Sequence, residues 1–241
     1  MCGRYVLTRV ADGLIPLFEI DRVAERLPKV SFNIAPSEQV PIVVESAKEG
    51  QEGRRLESAR WGLVPPFKKS LKEGPTPINA RVETVPTSGM YRGSFAKRRA
   101  IIPASGFYER RKTGDRQSFY IHPSNENEVL AFAGLYEWWR DPTKADDDPS
   151  RWILSTTILT HPPQGEMANV HDREPLYLSK QLWEDWLDPR TPGSRELLDY
   201  AQESSADVAA RLTFRPIGTA WLPSNRGSKI DNRSLVEPVT L

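Results

Sequence analysis

The chain has 241 residues, with 33 lysines and arginines against 32 aspartates and glutamates, three histidines and one cysteine. A single cysteine excludes an intramolecular disulfide, and with three histidines it gives no zinc-site spacing, so neither metal nor cofactor is expected. A net charge of +1 excludes a generally basic nucleic-acid binder, and no apolar run reaches the roughly 20 residues that span a bilayer.

The N-terminus lacks the basic segment and apolar core of a signal peptide, so a cytoplasmic location is expected. Along the chain, β-type runs fall at 41–45, 98–103, 118–121, 129–133, 152–157 and 212–217. Polar stretches at 46–57 and 140–150 read as inserted surface loops. Helical signals are fewer. Leu182, Trp183, Trp186 and Leu187 share a helical face behind Ser179, a candidate cap, and Thr191-Pro192 is placed to open a second helix through Leu197, Leu198 and Ala201. The 21 prolines impose fixed turns and edges. The expected class is α+β: one domain over residues 1–241, with a mixed, barrel-like β-sheet core and short peripheral helices.

Met1-Cys2-Gly3 places the one cysteine where trimming of the initiator methionine makes it the first residue. Its α-amine and thiol then have ordinary pKa values near ~8 and ~8.5, both partly nucleophilic at neutral pH. With an aldehyde, the amine can form an imine and the thiol can close on the same carbon as a thiazolidine. Read alone, Cys2 fits an incidental residue in a loose terminus better than a nucleophile.

Glu109 ends Pro103-Ala104-Ser105-Gly106-Phe107-Tyr108-Glu109, an apolar run that would desolvate its carboxyl group and fit it for proton transfer, while neighbouring arginines act in the opposite sense. A surface pair with Arg110 or Arg111 is the other reading. His171, in Asn169-Val170-His171-Asp172-Arg173, could titrate near neutrality or simply be a solvated loop residue; His122 and His161 precede prolines in ordinary turns. Asn33, Asn79 and Arg81 are polar groups in apolar or turn-forming surroundings. Trp61-Gly62-Leu63-Val64-Pro65 could be core packing or a stacking platform for a base. A basic stretch from Arg92 to Arg116 reads either as a phosphate-attracting face or as a solvated strand edge.

Six motifs occur in order: Met1-Cys2-Gly3-Arg4-Tyr5, Asn33-Ile34-Ala35-Pro36, Trp61-Gly62-Leu63-Val64-Pro65, Ile78-Asn79-Ala80-Arg81-Val82-Glu83-Thr84, Pro103 to Glu109, and His171-Asp172-Arg173. Together they resemble the SRAP family, the SOS-response-associated peptidase-like proteins. The resemblance implies a barrel-like α+β domain that binds single-stranded DNA and crosslinks covalently to abasic sites in the DNA damage response. It implies Cys2 as nucleophile, Asn33 orienting the reacting groups, Glu109 shuttling protons, and His171 assisting ring opening and adduct reversal, a lyase-like chemistry. Asn79 and Arg81 match positions that hold the DNA backbone, and Arg4, Trp61, Pro65, Arg110 and Arg173 complete the expected DNA-binding set. The expected state is a monomer, nucleoid-associated when bound to DNA, with no membrane partner.

Three residues depart from the family pattern. Phe67 and Arg110 stand where tryptophan is usual, and Glu174 stands for methionine, where its charge would favour protonated His171. Two alternatives differ in class: a cysteine peptidase whose terminal amine activates its own thiol, and a noncovalent single-strand binder with salt-sensitive affinity.

Overall fold

The computed structural model describes residues 2–9, 11–50, 52–222 and 229–239. Its strands are β1 (Tyr5–Leu7), β2 (Arg22–Val23), β3 (Ser31–Ile34), β4 (Gln39–Ser46), β5 (Gly53–Trp61), β6 (Asn79–Arg81) and β7 (Arg99–Ala104). After them come β8 (Gly106–Arg110), β9 (Ser118–Pro123), β10 (Leu130–Arg140), β11 (Trp152–His161), β12 (Glu174–Pro175) and β13 (Leu212–Ile217). Four α-helices lie among the described residues: α1 (Ala11–Phe18), α2 (Arg92–Lys97), α3 (Trp183–Leu187) and α4 (Arg195–Ala209).

One sheet runs β12-β11-β10-β7-β4-β5-β2, with β6 alongside β11. Its two arms meet. Ser155 and Thr156 of β11 pair in parallel with Arg60 and Trp61 of β5, so β11, β10, β7, β4 and β5 close into a five-strand ring. Closure satisfies backbone groups that open edges would leave unpaired. A second, five-stranded sheet runs β13-β9-β8-β1-β3. The architecture is α+β and barrel-like, as the composition and proline content suggest.

The two sheets share one run of chain. β7 leaves the ring at Ala104, passes Ser105 and enters the second sheet at Gly106. A Cβ at Gly106 would lie 2.5 Å from the Tyr120 ring and 2.7 Å from the Ile121 carbonyl oxygen, so only glycine admits this close crossing. Tyr5, Trp61 and Phe132 meet edge-on inside, with ring centroids 5.2 and 6.2 Å from Tyr5. Edge-to-face aromatic pairs add about 0.5–1.5 kcal/mol to the burial of their area.

The basic stretch is largely committed within the fold. Arg99 is buried and gives its guanidinium donors to five carbonyls, those of Phe95, Ala96, Trp186, Asp188 and Thr191, closing the ends of α2 and α3. Arg98 pairs with Glu137 at 2.7 Å and Arg111 with Asp115 at 2.9 Å.

Local expectations are corrected at three places. The second half of 46–57 is strand, because Gly53 to Glu57 continues β5 against β4. Ser194, not Thr191, precedes the second expected helix: its Oγ accepts the Leu197 amide at 3.2 Å, and α4 begins at Arg195. Ser179 makes no side-chain cap, and a short 3₁₀ turn, Lys180–Leu182, leads into α3.

Candidate active site

Cys2 lies just ahead of β1, an inner strand held between β3 and β8. Tyr5 pairs with Phe107 and Val6 with Gly106, and the Tyr108 amide donates to the Arg4 carbonyl at 3.0 Å. This antiparallel run brings Glu109 of β8 alongside the Cys2 end of the chain. Cys2 is fully buried, and its carbonyl accepts a 2.8 Å hydrogen bond from Asn79 Nδ2. Its Sγ is 4.0 Å from the Arg4 carbonyl oxygen.

Burial pushes the Cys2 thiol far above its ordinary range, and the Glu109 charge adds to the effect. Burial also raises the Glu109 carboxyl, against the pull of the amino-terminal charge. His171 moves in the other sense: burial brings it down to about 4, with the amino terminus and Lys112 adding repulsion. At neutral pH the thiol is protonated and the imidazole neutral, beside a carboxyl raised above its ordinary range.

His171 is carried by the 162–173 connection between β11 and β12. Its Nδ1 lies 3.1 Å from the Arg173 amide and 2.8 Å from Asp172 Oδ1. With its proton on Nε2 the neutral ring accepts the Arg173 amide at Nδ1; with a proton on Nδ1 it can donate to Asp172. Lys112 fastens this connection to the end of β8, with its Nζ 2.6 Å from Asp172 Oδ1 and its amide 3.3 Å from the Val170 carbonyl.

The two asparagines have neighbours other than those expected. Asn33 Oδ1 accepts from Arg4 Nη1 at 2.9 Å, and its Nδ2 donates to Ile230 O at 2.8 Å, so this side chain ties Arg4 to the C-terminal segment. Asn79 is the asparagine in contact with Cys2. Trp61 is fully buried, donating from Nε1 to Ile78 O at 3.0 Å, and Pro65 is buried too; neither presents a face to a base. Arg173 is paired with Glu83, Nη2 to Oε2 at 2.8 Å. Arg81 is exposed, and Arg110 is half-buried with its Nε on Arg116 O. Phe67 is 65% exposed. Glu174 is buried against His161, and the side-chain charges that act on His171 are those of Lys112 and Asp172 rather than Glu174, so the expected push towards protonated His171 is missing. Lys112, as the tether of the His171 connection, and Tyr177, a buried ring whose hydroxyl lies 3.5 Å from Glu174 Oε2, were not among the expected site residues. Lys112 lay within the basic stretch; nothing local marks Tyr177. Met1 lies outside the described residues.

Among the described residues no group of three or more potential ligands could hold a metal ion, and no helix is long and apolar enough to cross a membrane.

A closed five-strand ring and a flanking sheet define an α+β, barrel-like protein that buries Cys2 ahead of β1, with Glu109 on the neighbouring strand β8. The chain belongs to the SOS response associated peptidase (SRAP) family, whose model matches residues 1–220. It is 33% identical over 86% of its length to the abasic site processing protein YoqW of Bacillus subtilis, covering 89% of that protein. It is 27% identical over 99% of its length to the abasic site processing protein YedK of Escherichia coli, covering all of it. A solved structure of a Bacteroides thetaiotaomicron protein superposes with a TM-score of 0.76 over 99% of this chain and 100% of that one, at 19% identity.

Proposed function

We propose that this chain processes abasic sites in single-stranded DNA by covalent capture through Cys2 once Met1 has been removed. The observation that supports the reading is a buried Cys2 on which the Glu109 charge acts, with the Cys2 carbonyl held by Asn79 and the His171 connection fastened to the end of β8 by Lys112. The names of the YoqW and YedK proteins supply the substrate class.

An abasic deoxyribose opens to an aldehyde at C1′. The Cys2 amine adds to that carbon, and loss of one water leaves an imine. The Cys2 thiol then gives up its proton, sulfur bonds to the same carbon, and the imine nitrogen takes a proton, so the thiazolidine forms with one water released overall. A thiol held protonated by its surroundings needs a base at that step, and the raised Glu109 carboxyl is suited to receive the proton and return it to nitrogen. Neutral His171 serves ring opening of the sugar and reversal of the adduct. Asn79 orients Cys2 through its carbonyl, whereas Asn33 acts through Arg4. Exposed Arg81 and Phe67 supply phosphate and base contacts, where stacking is worth about 1–3 kcal/mol per base.

The deciding experiment is intact mass spectrometry, with a denaturing gel, of the protein after exposure to single-stranded DNA bearing one abasic site. A denaturation-resistant one-to-one adduct, lost in Cys2→Ser, is expected. Protein with Met1 fully removed and no adduct would overturn the reading.

A further inference from the structure

A second cluster of ionisable groups is sealed inside the molecule. Glu174 is fully buried. Its Oε1 accepts the Gln164 amide at 2.7 Å and lies 3.6 Å from His161 Nε2, and its Oε2 is 3.5 Å from the Tyr177 hydroxyl. His161 is buried as well, with Nε2 3.3 Å from Ser205 Oγ of α4. That same Oγ accepts the Tyr177 amide at 3.1 Å.

The cluster occupies one defined place in the fold. His161 is the last residue of β11 and Glu174 the first of β12, and the two are paired across the ladder. Gln164 leads into the 3₁₀ turn Gly165–Asn169. Between these residues runs the connection that carries His171, so the Glu174 carboxyl spans the neck of that connection and joins its entry to its exit.

We infer that Glu174 is a positioning residue for His171: by tying Gln164 to the start of β12 inside the His161, Tyr177 and Ser205 cluster, its carboxyl group sets where the 162–173 connection holds the imidazole. The inference rests on the role given to His171 above. Other side-chain ties also reach the connection: exposed Asp172 receives Lys112, and Arg173 donates to half-exposed Glu83 and, from Nη2, to Thr160 O at 2.6 Å; among the carboxyl groups involved, Glu174 is the fully buried one and the one that holds Gln164. Met167 and Val170 pack into the core and hold the middle of the connection, but they carry no hydrogen bond across the neck.

A carboxyl group without solvent is costly to bury, and methionine, usual at this position in the resemblance described above, would fill the space without that cost. This chain instead surrounds the group with an amide donor, an imidazole and a hydroxyl. Burial pushes Glu174 up to about 7 and His161 down to about 4. Each packed element faces Glu174 with a known group. β11 presents neutral His161, the segment after β12 presents the Tyr177 hydroxyl, and α4 presents only the Ser205 hydroxyl, through His161. Among charged side chains, Arg173 and Glu83 act on His161 with opposite signs. Near neutrality the carboxyl therefore passes between an acid, which can donate to His161 or Tyr177, and a carboxylate, which draws the Gln164 amide more strongly. The neck tightens as the proton leaves.

The test uses the three histidines, His122, His161 and His171, as internal probes. Ring-nitrogen NMR spectra of the full chain labelled with ¹⁵N-histidine are recorded from pH 5.5 to 8.5, with assignments from His122→Gln and His161→Gln. His171 itself stays neutral throughout this range, so any step reports a neighbour. Wild-type His171 is expected to shift with a step centred near 7. In Glu174→Gln, which keeps an acceptor for Gln164 and a donor for Tyr177, that step is expected to vanish, while His122 traces superimpose. A step from the amino terminus would appear in both proteins and cancel in the comparison. Glu174→Met, which keeps the volume, is expected to displace the His171 signals at every pH. Superimposable His171 traces in wild type and Glu174→Gln, or a Glu174→Met spectrum with His171 unmoved, would overturn the inference. Crosslinking on abasic DNA is scored separately: a wild type that forms no adduct defeats the proposed function, while the His171 traces still decide the positioning.

Discussion

Asn79 on β6 donates its side-chain amide to the carbonyl oxygen of Cys2 at 2.8 Å, across 77 residues of sequence. The residue proposed to react is thereby held by its backbone, which leaves both its amine and its sulfur to chemistry. Asn79→Ala removes this bond, and a single lost hydrogen bond of about 1.5 kcal/mol corresponds to roughly a tenfold slower step. Asn33→Ala should act differently, loosening Arg4 and the C-terminal segment and lowering the melting temperature more than the reaction rate. Rates from quenched gels, set beside thermal melts of both variants, separate the two. Equal losses of rate would show that Asn33 also serves the reacting groups.

Glu109→Gln keeps the shape of the side chain and removes its ability to take a proton. Positioned acid–base groups contribute about 10²–10⁴-fold, so adduct formation should slow by at least about 100-fold while DNA affinity is retained. Because burial raises the Glu109 carboxyl, the wild-type rate should climb with pH through that raised value as the base form appears, and the variant should lack the climb. A Glu109→Gln rate within threefold of wild type would remove Glu109 from the proton path.

Reversal should single out His171. His171→Ala is expected to form the adduct and release it more slowly than wild type, measured by transfer of prelabelled protein to a second oligonucleotide. Burial holds the ring neutral down to about 4, so wild-type reversal should not change through pH 6.5 on account of this group. A reversal rate untouched by the substitution would leave His171 without a role.

Stability offers a check on Glu174 that involves no DNA. The group keeps its proton up to about 7 in the folded chain and loses it near 4.5 when unfolded. Between those values the folded form binds one more proton, so the stability contributed by Glu174 is present below about 4.5 and is lost as pH rises through about 7. Glutamine has no proton to lose. Urea unfolding should therefore show wild type losing stability relative to Glu174→Gln between pH 5 and pH 8, and a constant difference would contradict the burial assigned to the carboxyl.

Arg99 gives guanidinium donors to five carbonyls at the ends of α2 and α3. Lysine offers three donors, so Arg99→Lys leaves at least two buried carbonyls wanting, at about 1–3 kcal/mol each. The urea midpoint should fall accordingly, with the slope of the transition preserved.

Elements whose signal is local were legible in the sequence. β13 spans Leu212–Ile217 as its β-branched and aromatic run suggests, and the stretches at 118–121 and 152–157 seed β9 and β11. The helix α1 escaped because Gly13 and Pro16 lie inside it, and it is stabilised by burying Leu14 and Phe18 rather than by propensity. The start of β5 reads as loop because its arginines and glutamates face outward, and pairing with β4 decides its state. At the site, Cys2, Glu109 and His171 were singled out by six motifs in order and the resemblance those carry, because each residue taken alone left a bland reading open. The exchange of neighbours between Asn33 and Asn79, and the inward turn of Glu174, depend on which strands lie side by side, and no local pattern carries that.

The inner place of β1 also imposes a timetable. Cys2 is wholly enclosed once β1 sits between β3 and β8. β8 is made only after more than a hundred residues have been translated. The enclosure of Cys2 is therefore completed late in synthesis, when β8 emerges to take its place beside β1, and the burial that raises its thiol is a product of long-range pairing rather than of the N-terminal segment itself.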